Sequence, residues 1–386
     1  MPFLQKSRGL PELGRLLDTG QKRIYFPVVA PGVPPTIDLY CRAATEYKAS
    51  DLILQEGEPP VVRVSGSITP MDASAVEEGD LRAFREACGV PSASNDHDAS
   101  FVASDGVRFR VNFHRRLGGE GAVLRRISTS PPALETLGVP EERLRGMVER
   151  RSGIIIVSGP TGSGKSTTLA SLLDWVNRNL ERHVVTIEDP VEFVFPREKS
   201  LFTQRAVGLD TPNFAEGLRR ALRQAPDIIL VGEIRDAETA AVALQAAETG
   251  HLVLATLHAS DVSEVIQRLG AFFPENERKG LFQVLSGQLL MILCQKLLPS
   301  PGGGRILSCE YLTNVGFSRQ SILNGDMAEL RDYLAKADPA ESIDFLRSFH
   351  QLVADGLLDE ETAFQACPNP AELRRRLRGI FSSFSS

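Results

Sequence analysis

The chain has 386 residues, of which 42% are hydrophobic and 24% are charged, and its formal net charge is −6 at pH 7. This composition is ordinary for a globular protein of two or three domains, and the acidic balance argues against a general nucleic-acid or anionic-membrane binder. No apolar run approaches the roughly 20 residues of a transmembrane helix, and the basic amino terminus lacks the apolar segment of a secretory signal. Five scattered cysteines without a C-x-x-C pair predict free thiols and no zinc site.

The amino-terminal third predicts an extension followed by a small domain. Residues 1–36 end in a proline-rich stretch that is typical of an extended linker. Residues 37–130 mix helical and alternating patterns, which indicates an α+β domain. The predicted helices are 37–47 and 80–88, and the predicted strands are 51–55, 61–65, 100–103, 107–113 and 121–127.

Residues 159–166 read Gly-Pro-Thr-Gly-Ser-Gly-Lys-Ser, a complete G-x-x-x-x-G-K-[ST] loop. An apolar strand at 153–158 precedes it and a helix with one apolar face follows it, which is the arrangement that presents backbone N–H groups to a polyphosphate. We expect Lys165 to contact the β- and γ-phosphates and Ser166 to ligate Mg²⁺. The predicted nucleotide-binding loop comprises Gly159, Pro160, Thr161, Gly162, Ser163, Gly164, Lys165, Ser166 and Thr167.

Beyond the loop, strands and helices alternate, which predicts a doubly wound parallel sheet. The predicted strands are 183–188, 228–231 and 252–257, and the predicted helices are 213–224 and 237–249. Because ligands bind at the carboxyl ends of such strands, the polar residues Ser158, Glu188, Glu233 and His258 are expected at one edge. From residue 272 onward we predict mostly helix, at 276–297, 328–336, 342–354 and 360–366.

Acidic residues follow two of these strands. Glu233 ends the apolar strand 228–231, and Gly232 stands where phosphate-loop ATPases commonly carry an aspartate. We interpret Glu233 as the group that polarises the attacking water, the alternative being a solvated loop carboxylate. Glu188, Asp189 and Glu192 are candidates to hold the Mg²⁺ water shell, with Ser166 and Glu188 nearest the metal; a capped, charged turn is the alternative for each.

Two histidines bracket the strand 252–257. His258 is a candidate for sensing the γ-phosphate, and His251 is a second candidate for a nucleotide contact. The alternative is that both are ordinary histidines at the ends of a strand. Metal ligation is not predicted, because no Cys or His partner has the required spacing.

Together these residues resemble the type II/IV secretion and pilus ATPase superfamily and, within it, the PilT-type pilus retraction ATPases. The resemblance covers about residues 37–310. The matching stretches are 48–52, 108–112, 159–168, 186–193, 204–208, 218–236 and 248–258.

The resemblance implies an ATP- and Mg²⁺-dependent homohexameric motor. It implies an amino-terminal PAS-like domain at 37–130, a RecA-like ATPase domain at 131–310 and a helical region at 311–386. It further implies that Arg110 and Arg125 of the first domain reach a nucleotide, although strand arginines often simply face solvent. The implied location is the cytoplasm, at the inner membrane, with a pilus or secretion platform protein as partner and no nucleic acid.

Three departures from the family pattern keep other functions open. The chain lacks the paired C-x-x-C module of pilus-extension and type II secretion relatives, which favours the retraction type. Residues 316–322, Gly-Phe-Ser-Arg-Gln-Ser-Ile, diverge from the retraction type's segment, and Ala259-Ser260 replace Thr-Asn. An ATP-binding regulatory paralogue with little motor activity therefore remains an alternative, and a nucleic-acid motor a more distant one.

Overall fold

The computed structural model describes residues 32–64, 66–91, 95–117, 119–127 and 131–379. Most of the extension predicted at 1–36 lies outside the described residues. The chain divides into two compact units, one ending at Arg126 and the other beginning at Ile127. None of the helices in the described ranges is long and apolar enough to cross a membrane.

The first unit is a six-stranded antiparallel sheet with two helices. Its elements are α1 Pro35–Glu46, β1 Asp51–Gln55, β2 Val61–Val64, β3 Ser67–Pro70, α2 Glu78–Ala87, β4 Asp96–Val102, β5 Arg108–Arg116 and β6 Gly119–Arg126. The strand order is β3-β2-β1-β6-β5-β4. The core centres on Phe84, whose ring meets those of Phe101 and Phe113 at centroid distances of 5.0 and 5.3 Å. Strand β3 was not predicted, because all four of its residues are exposed and carry no alternation.

The second unit is a larger sheet with helices packed around it. Its elements are a 3₁₀ turn at Leu134–Thr136, α3 Glu141–Val148, β7 Gly153–Ser158, α4 Lys165–Asn179, β8 His183–Glu188, β9 Leu201–Ala206, α5 Phe214–Ala221, β10 Ile228–Val231, α6 Ala237–Glu248, β11 Leu252–Leu257, α7 Val262–Ala271, α8 Glu275–Gln288, β12 Leu289–Pro299, β13 Arg305–Thr313, α9 Gly316–Asn324, α10 Met327–Lys336, β14 Ser342–Ile343, α11 Phe345–Ala354, α12 Glu360–Ala366 and α13 Pro370–Leu377.

The eight strands of this sheet run in the order β14-β13-β12-β7-β11-β10-β8-β9. The six strands from β12 to β9 are mutually parallel, whereas β13 and β14 extend the sheet in antiparallel fashion. All residues of β7, β10 and β11 are buried, as expected for central parallel strands covered on both faces. The predicted bounds of β1, β7, β8, β10 and β11 coincide with the observed ones.

The predicted helix at 276–297 is wrong in its second half. Helix α8 ends at Gln288, and the apolar run that follows is strand β12. A short apolar run fits either a buried helix or a buried strand, and here pairing decides, because β7 and β13 flank β12 on both sides. The boundary that we predicted between 310 and 311 consequently falls inside β13. The predicted helix at 342–354 likewise begins only at Phe345, after β14.

A buried carboxylate ties two helices to this sheet extension. Glu310 on β13 accepts hydrogen bonds from the backbone N–H groups of Val262 at 2.8 Å and Phe345 at 3.2 Å. These are the first residues of α7 and α11, whose amino-terminal N–H groups lack partners within their own helices. Burial raises the pKa of Glu310 to about 7, despite the two N–H donors that favour its charged form.

We expect Glu310→Gln to remove part of the pH dependence of stability. Because the pKa of Glu310 is about 7 in the folded chain and near 4.5 when unfolded, its contribution is fully present below about pH 4.5 and is lost as the pH rises through 7. Urea unfolding of the wild type should give a free energy of unfolding that is lower at pH 7.5 than at pH 5.0, by on the order of 2 kcal/mol, because of this group. Glu188 also lowers the free energy of unfolding as the pH rises. In Glu310→Gln this free energy should therefore still fall with pH, but less steeply than in the wild type. The exposed variant Glu360→Gln is the control, and an unaltered slope in Glu310→Gln contradicts the prediction.

Candidate nucleotide-binding site

The glycine loop joins the buried strand β7 to helix α4. Gly159, Gly162 and Gly164 have φ values of 143°, 81° and 91°, which are left-handed values that favour glycine. A Cβ at Gly159 would also overlap the backbone carbonyl oxygen of Gln295. Helix α4 begins directly at Lys165, so its free amino-terminal N–H groups face the loop.

Lys165 lies folded over the loop. Its Nζ donates hydrogen bonds to the carbonyl oxygens of Gly159 at 2.8 Å and Pro160 at 3.0 Å. Burial lowers the pKa of Lys165, whereas the nearby carboxylates of Glu233 and Glu192 raise it. The ammonium is therefore held by carbonyl oxygens of the loop, and phosphate oxygens would replace these neutral acceptors with charged ones, which form stronger hydrogen bonds.

Glu233 is held from two sides at the end of β10. Its carboxylate accepts a hydrogen bond from Nε of Arg235 at 2.6 Å and lies 3.4 Å from Nε2 of His258. Arg235 also reaches Asp189 at 3.3 Å. Burial and the charge of Lys165 lower the pKa of His258, so its imidazole is mostly neutral at pH 7. A carboxylate and a neutral imidazole in contact can together orient a water molecule.

Gly232 has no space for a side chain. A Cβ there would lie 3.0 Å from the carbonyl oxygen of Ile187 and 3.2 Å from Cα of Glu188. Its N–H donates to Ile187 at 2.7 Å, and its own carbonyl accepts a hydrogen bond from Thr256. Close packing of β10 against β8 thus explains why the chain carries glycine rather than aspartate at this position.

Glu188 is the last residue of β8 and lines the same edge of the sheet. Burial raises the pKa of Glu188 to about 7, although hydrogen bonds from Thr186 at 2.6 Å and Gln204 at 3.4 Å oppose the shift. A bound cation would favour the charged form. Oxygen ligands from Glu188 and the exposed Ser166 fit Mg²⁺, which usually takes only one or two protein ligands.

These groups meet around one cavity of about 810 Å³. It brings together most of the predicted residues and others that sequence reasoning missed, among them the polar residues Thr168, Arg235, Thr256, Gln295 and Arg305. Arg235 carried a sequence signal, since it lies two residues after Glu233, whereas Gln295 and Arg305 fell in or beside a segment predicted as helix. The predicted residues that line the cavity are Thr161, Gly162, Ser163, Gly164, Lys165, Ser166, Thr167, Glu188, Asp189, Glu192, Glu233 and His258.

The structure places His251 away from this cavity. The carbonyl oxygen of His251 accepts a hydrogen bond from Gly153, at the start of β7, whereas the glycine loop follows the end of β7. Six residues of strand separate the two ends by about 20 Å. The ring of His251 instead contacts Thr249 and the carbonyl of Ala246. Our prediction of a nucleotide contact for His251 therefore disagrees with the geometry of its own chain.

Arg110 and Arg125 lie directly opposite each other on β5 and β6 of the first unit, so the predicted pairing of their strands is confirmed. Arg110 pairs with Asp98 at 2.7 Å and Arg125 with Asp51 at 2.8 Å. Arg125 remains 71% exposed at its side chain. Like charges in directly opposed positions destabilise a sheet, and here an aspartate beside each arginine compensates its charge.

Metal ligation by clusters of protein side chains is not evident. Within the ranges that the structure describes, no group of three or more His, Cys, Asp or Glu residues is placed to hold a metal ion. The five cysteines are free thiols, as expected; four are buried, and burial raises the pKa of Cys41 and Cys309.

Residues 95–309 match the family model described as type II/IV secretion system protein. The chain is 38% identical over 333 residues to the type IV pilus retraction ATPase PilT of Pseudomonas aeruginosa, covering 83% of this chain and 95% of that protein. It is 35% identical over 345 residues to the type IV pilus ATPase PilU of the same organism, covering 87% and 90%.

Solved structures agree. The crystal structure of the pilus retraction motor PilT with bound ADP matches with a TM-score of 0.80 at 38% identity, over 88% of this chain and 99% of that one. The ATPase DotB of Legionella pneumophila matches with a TM-score of 0.75 at 31% identity, over 86% and 97%. These matches confirm the predicted resemblance and the predicted fold class, a RecA-like parallel-sheet domain with an amino-terminal α+β domain.

We expect Gly232→Ala to destabilise the chain by about 1–3 kcal/mol, because the added methyl group would press on two rigid backbone atoms of β8. It should also displace Glu233 and lower ATP turnover at least tenfold. Thermal unfolding and steady-state turnover measure both effects. Gly146→Ala is the matched control, since Gly146 lies inside α3 with open space around it. This substitution should raise the free energy of unfolding by about 0.5–1 kcal/mol. Equal stability of the two variants would contradict the crowding argument.

Proposed function

Because the chain belongs to the type II/IV secretion system protein family, we propose that it is an ATP-hydrolysing motor of the PilT type, acting in pilus retraction and twitching motility or in a related secretion machine. The observation that carries this function is the convergence of Lys165, Glu233 and His258 on one cavity beside a complete phosphate-binding loop. The ADP-bound PilT structure supports nucleotide use at the corresponding fold.

In this proposal each residue has a distinct task. The loop N–H groups and Lys165 bind the β- and γ-phosphates, and Glu233 orients the attacking water while Arg235 and His258 fix its carboxylate. His258 contacts the γ-phosphate or that water. Mg²⁺, held through Ser166 and Glu188, supplies charge neutralisation when bound. A largely neutral His258 donates one hydrogen bond without adding charge to the acidic edge.

The working form in our proposal is a homohexamer. Arg110 and Arg125 lie opposite each other in the first unit, at least partly exposed and each paired with an aspartate, and no phosphate-binding loop occurs among the described residues of that unit. An arginine that reaches a nucleotide from outside its pocket can neutralise charge on the transferring phosphoryl group and link hydrolysis to assembly. The proposed location is the cytoplasmic face of the inner membrane, with a pilus or secretion platform protein as partner.

An ATP-binding regulatory paralogue is the second candidate. Residues 316–322 lie at the start of α9 and diverge from the retraction-type segment, and Phe317 there is 51% exposed. If this segment passes force to a partner in the retraction type, its divergence favours ATP binding with little motor output. Twitching motility after deletion of the gene, compared with ATPase turnover of the purified protein, separates the two candidates.

Lys165→Ala should abolish ATP binding, whereas Glu233→Gln should bind ATP and hydrolyse it at least 100-fold more slowly. The difference arises because Lys165 contacts ground-state phosphates and Glu233 acts on the water. Equilibrium binding and single-turnover hydrolysis distinguish the two defects. Lys279→Ala, on the exposed surface of α8, is the control. Near-normal turnover in Glu233→Gln would sink the assignment of Glu233.

Mixing Lys165→Ala protein with Arg110→Ala protein should restore part of the activity that each lacks alone. If the arginine acts on a neighbouring subunit's nucleotide, some mixed interfaces pair an intact loop with an intact arginine. Turnover should also rise more steeply than linearly with protein concentration as rings assemble. Arg82→Ala, which removes an exposed arginine of α2, should behave as wild type. Full activity in a proven monomer would exclude the trans role.

A further inference from the structure

Gln295 contacts both ends of the glycine loop. It lies on β12, one residue beyond Cys294, which pairs with Ser158 at the end of β7. Its backbone carbonyl packs against Gly159 so closely that no side chain fits there. Its Nε2 donates a hydrogen bond of 2.7 Å to Oγ1 of Thr168, in the first turn of α4. One residue therefore fixes the entry of the loop by its backbone and the exit by its side chain.

The amide of Gln295 is also not fully used. The residue is 1% exposed, and its Oε1 has no hydrogen-bond partner among the described residues. Buried polar atoms are rarely left unpaired, and such an atom at a cavity wall is typical of a functional site. Gln295 lines the nucleotide cavity, and Oγ of the loop residue Ser163 is likewise buried without a described partner. Two buried polar atoms without a described partner thus lie beside the loop.

The bond to Thr168 acts on the residues that face the nucleotide. Thr168 is 2% exposed, and it lines the cavity together with Ser166 and Thr167 of the same turn. Adjacent residues of a helix are fixed relative to one another, so holding Thr168 against β12 sets the rotation of Ser166, Thr167 and Lys165 about the helix axis. Small displacements of such groups reduce both phosphate affinity and reaction rate.

We infer that Gln295 is a positioning residue of the ATPase site, which holds the phosphate-binding loop in its nucleotide-binding form through its hydrogen bond to Thr168. The inference rests on the proposed function and adds a residue from outside the loop and outside the acidic edge. It acts through Thr168 and does not itself touch the phosphates. Because Gln295 belongs to β12, the proposal requires this particular strand beside the loop, and another covering strand or helix would not supply the same contacts.

The test is a double-mutant cycle between two substitutions that keep shape. Gln295→Leu and Thr168→Val each remove the hydrogen bond, and Thr168→Ser keeps it. We expect Gln295→Leu and Thr168→Val each to raise the dissociation constant of ADP and the KM of ATP about tenfold. The double variant should be no worse than the poorer single variant, because both remove the same interaction. Thr168→Ser should stay within about threefold of wild type.

Thermal unfolding without nucleotide separates positioning from general packing. We expect the midpoints of Gln295→Leu and Thr168→Val to stay within a few degrees of wild type, while the increase in midpoint produced by saturating ADP becomes smaller. Unchanged ADP affinity in Gln295→Leu, or single effects that multiply in the double variant, would overturn the inference. If Gln295→Leu does not fold, the contrast between Thr168→Val and Thr168→Ser decides alone. Absence of ATP turnover in the wild type would count against the proposed function, and the ADP measurements would still judge Gln295.

Discussion

The parallel register of four neighbouring strands is the constraint on which the site depends. Hydrogen bonding aligns β7 with β11, β11 with β10, and β10 with β8, so that their carboxyl ends stand side by side. The chain leaves each strand with a polar residue, and alignment converts residues far apart in sequence into neighbours. Glu233 and His258 come within 3.4 Å because the parallel pairing of β10 and β11, with Val231 opposite Ala255, brings the residues that follow both strands together. No local sequence motif predicts this contact, because it arises from the hydrogen-bonded pairing of the strands.

Crowding between these strands determines which residues the edge accepts. Gly232 must lack a side chain because the backbone of β8 lies against it, and Gly159 must lack one because β12 does. The acidic groups therefore occupy nearby positions that have space for a side chain. Glu233 follows Gly232, and Glu188 lies on the adjacent strand. The raised pKa of Glu188 reflects this enclosure, because burial outweighs the hydrogen bonds that its carboxylate accepts. The site is thus a compromise between tight packing of the sheet and access for a highly charged ligand.

The sequence was sufficient to predict those strands whose residue pattern alone identifies them as strands. Central strands such as β7 and β11 are continuous apolar runs bounded by polar residues, and their ends follow from the residues alone. Strand β12 has the same composition but follows a helix without a turn, so only its pairing with β7 and β13 distinguishes it from more helix. Gln295 was missed for that reason. His251 precedes β11 and lies beside the start of β7, so within its own chain the direction of the strands places it at the opposite edge from His258.

The missed strands also explain how the carboxyl-terminal helices belong to the same unit as the site. Ser158, at the end of β7, binds the backbone of Ala259 in both directions, with distances of 2.9 Å. Three residues later, Val262 donates to Glu310 on β13, and the other oxygen of Glu310 accepts from Phe345 at the start of α11. Two groups of buried hydrogen bonds, one between Ser158 and Ala259 and one from the starts of α7 and α11 to Glu310, are therefore joined by the backbone of residues 260 and 261. Because each bond is buried, a displacement at one member must be accommodated by the next, since breaking any of them leaves a polar group unpaired. Helix α11 is thus held by hydrogen bonds that also hold the start of α7, three residues after the contact of Ala259 with the end of β7.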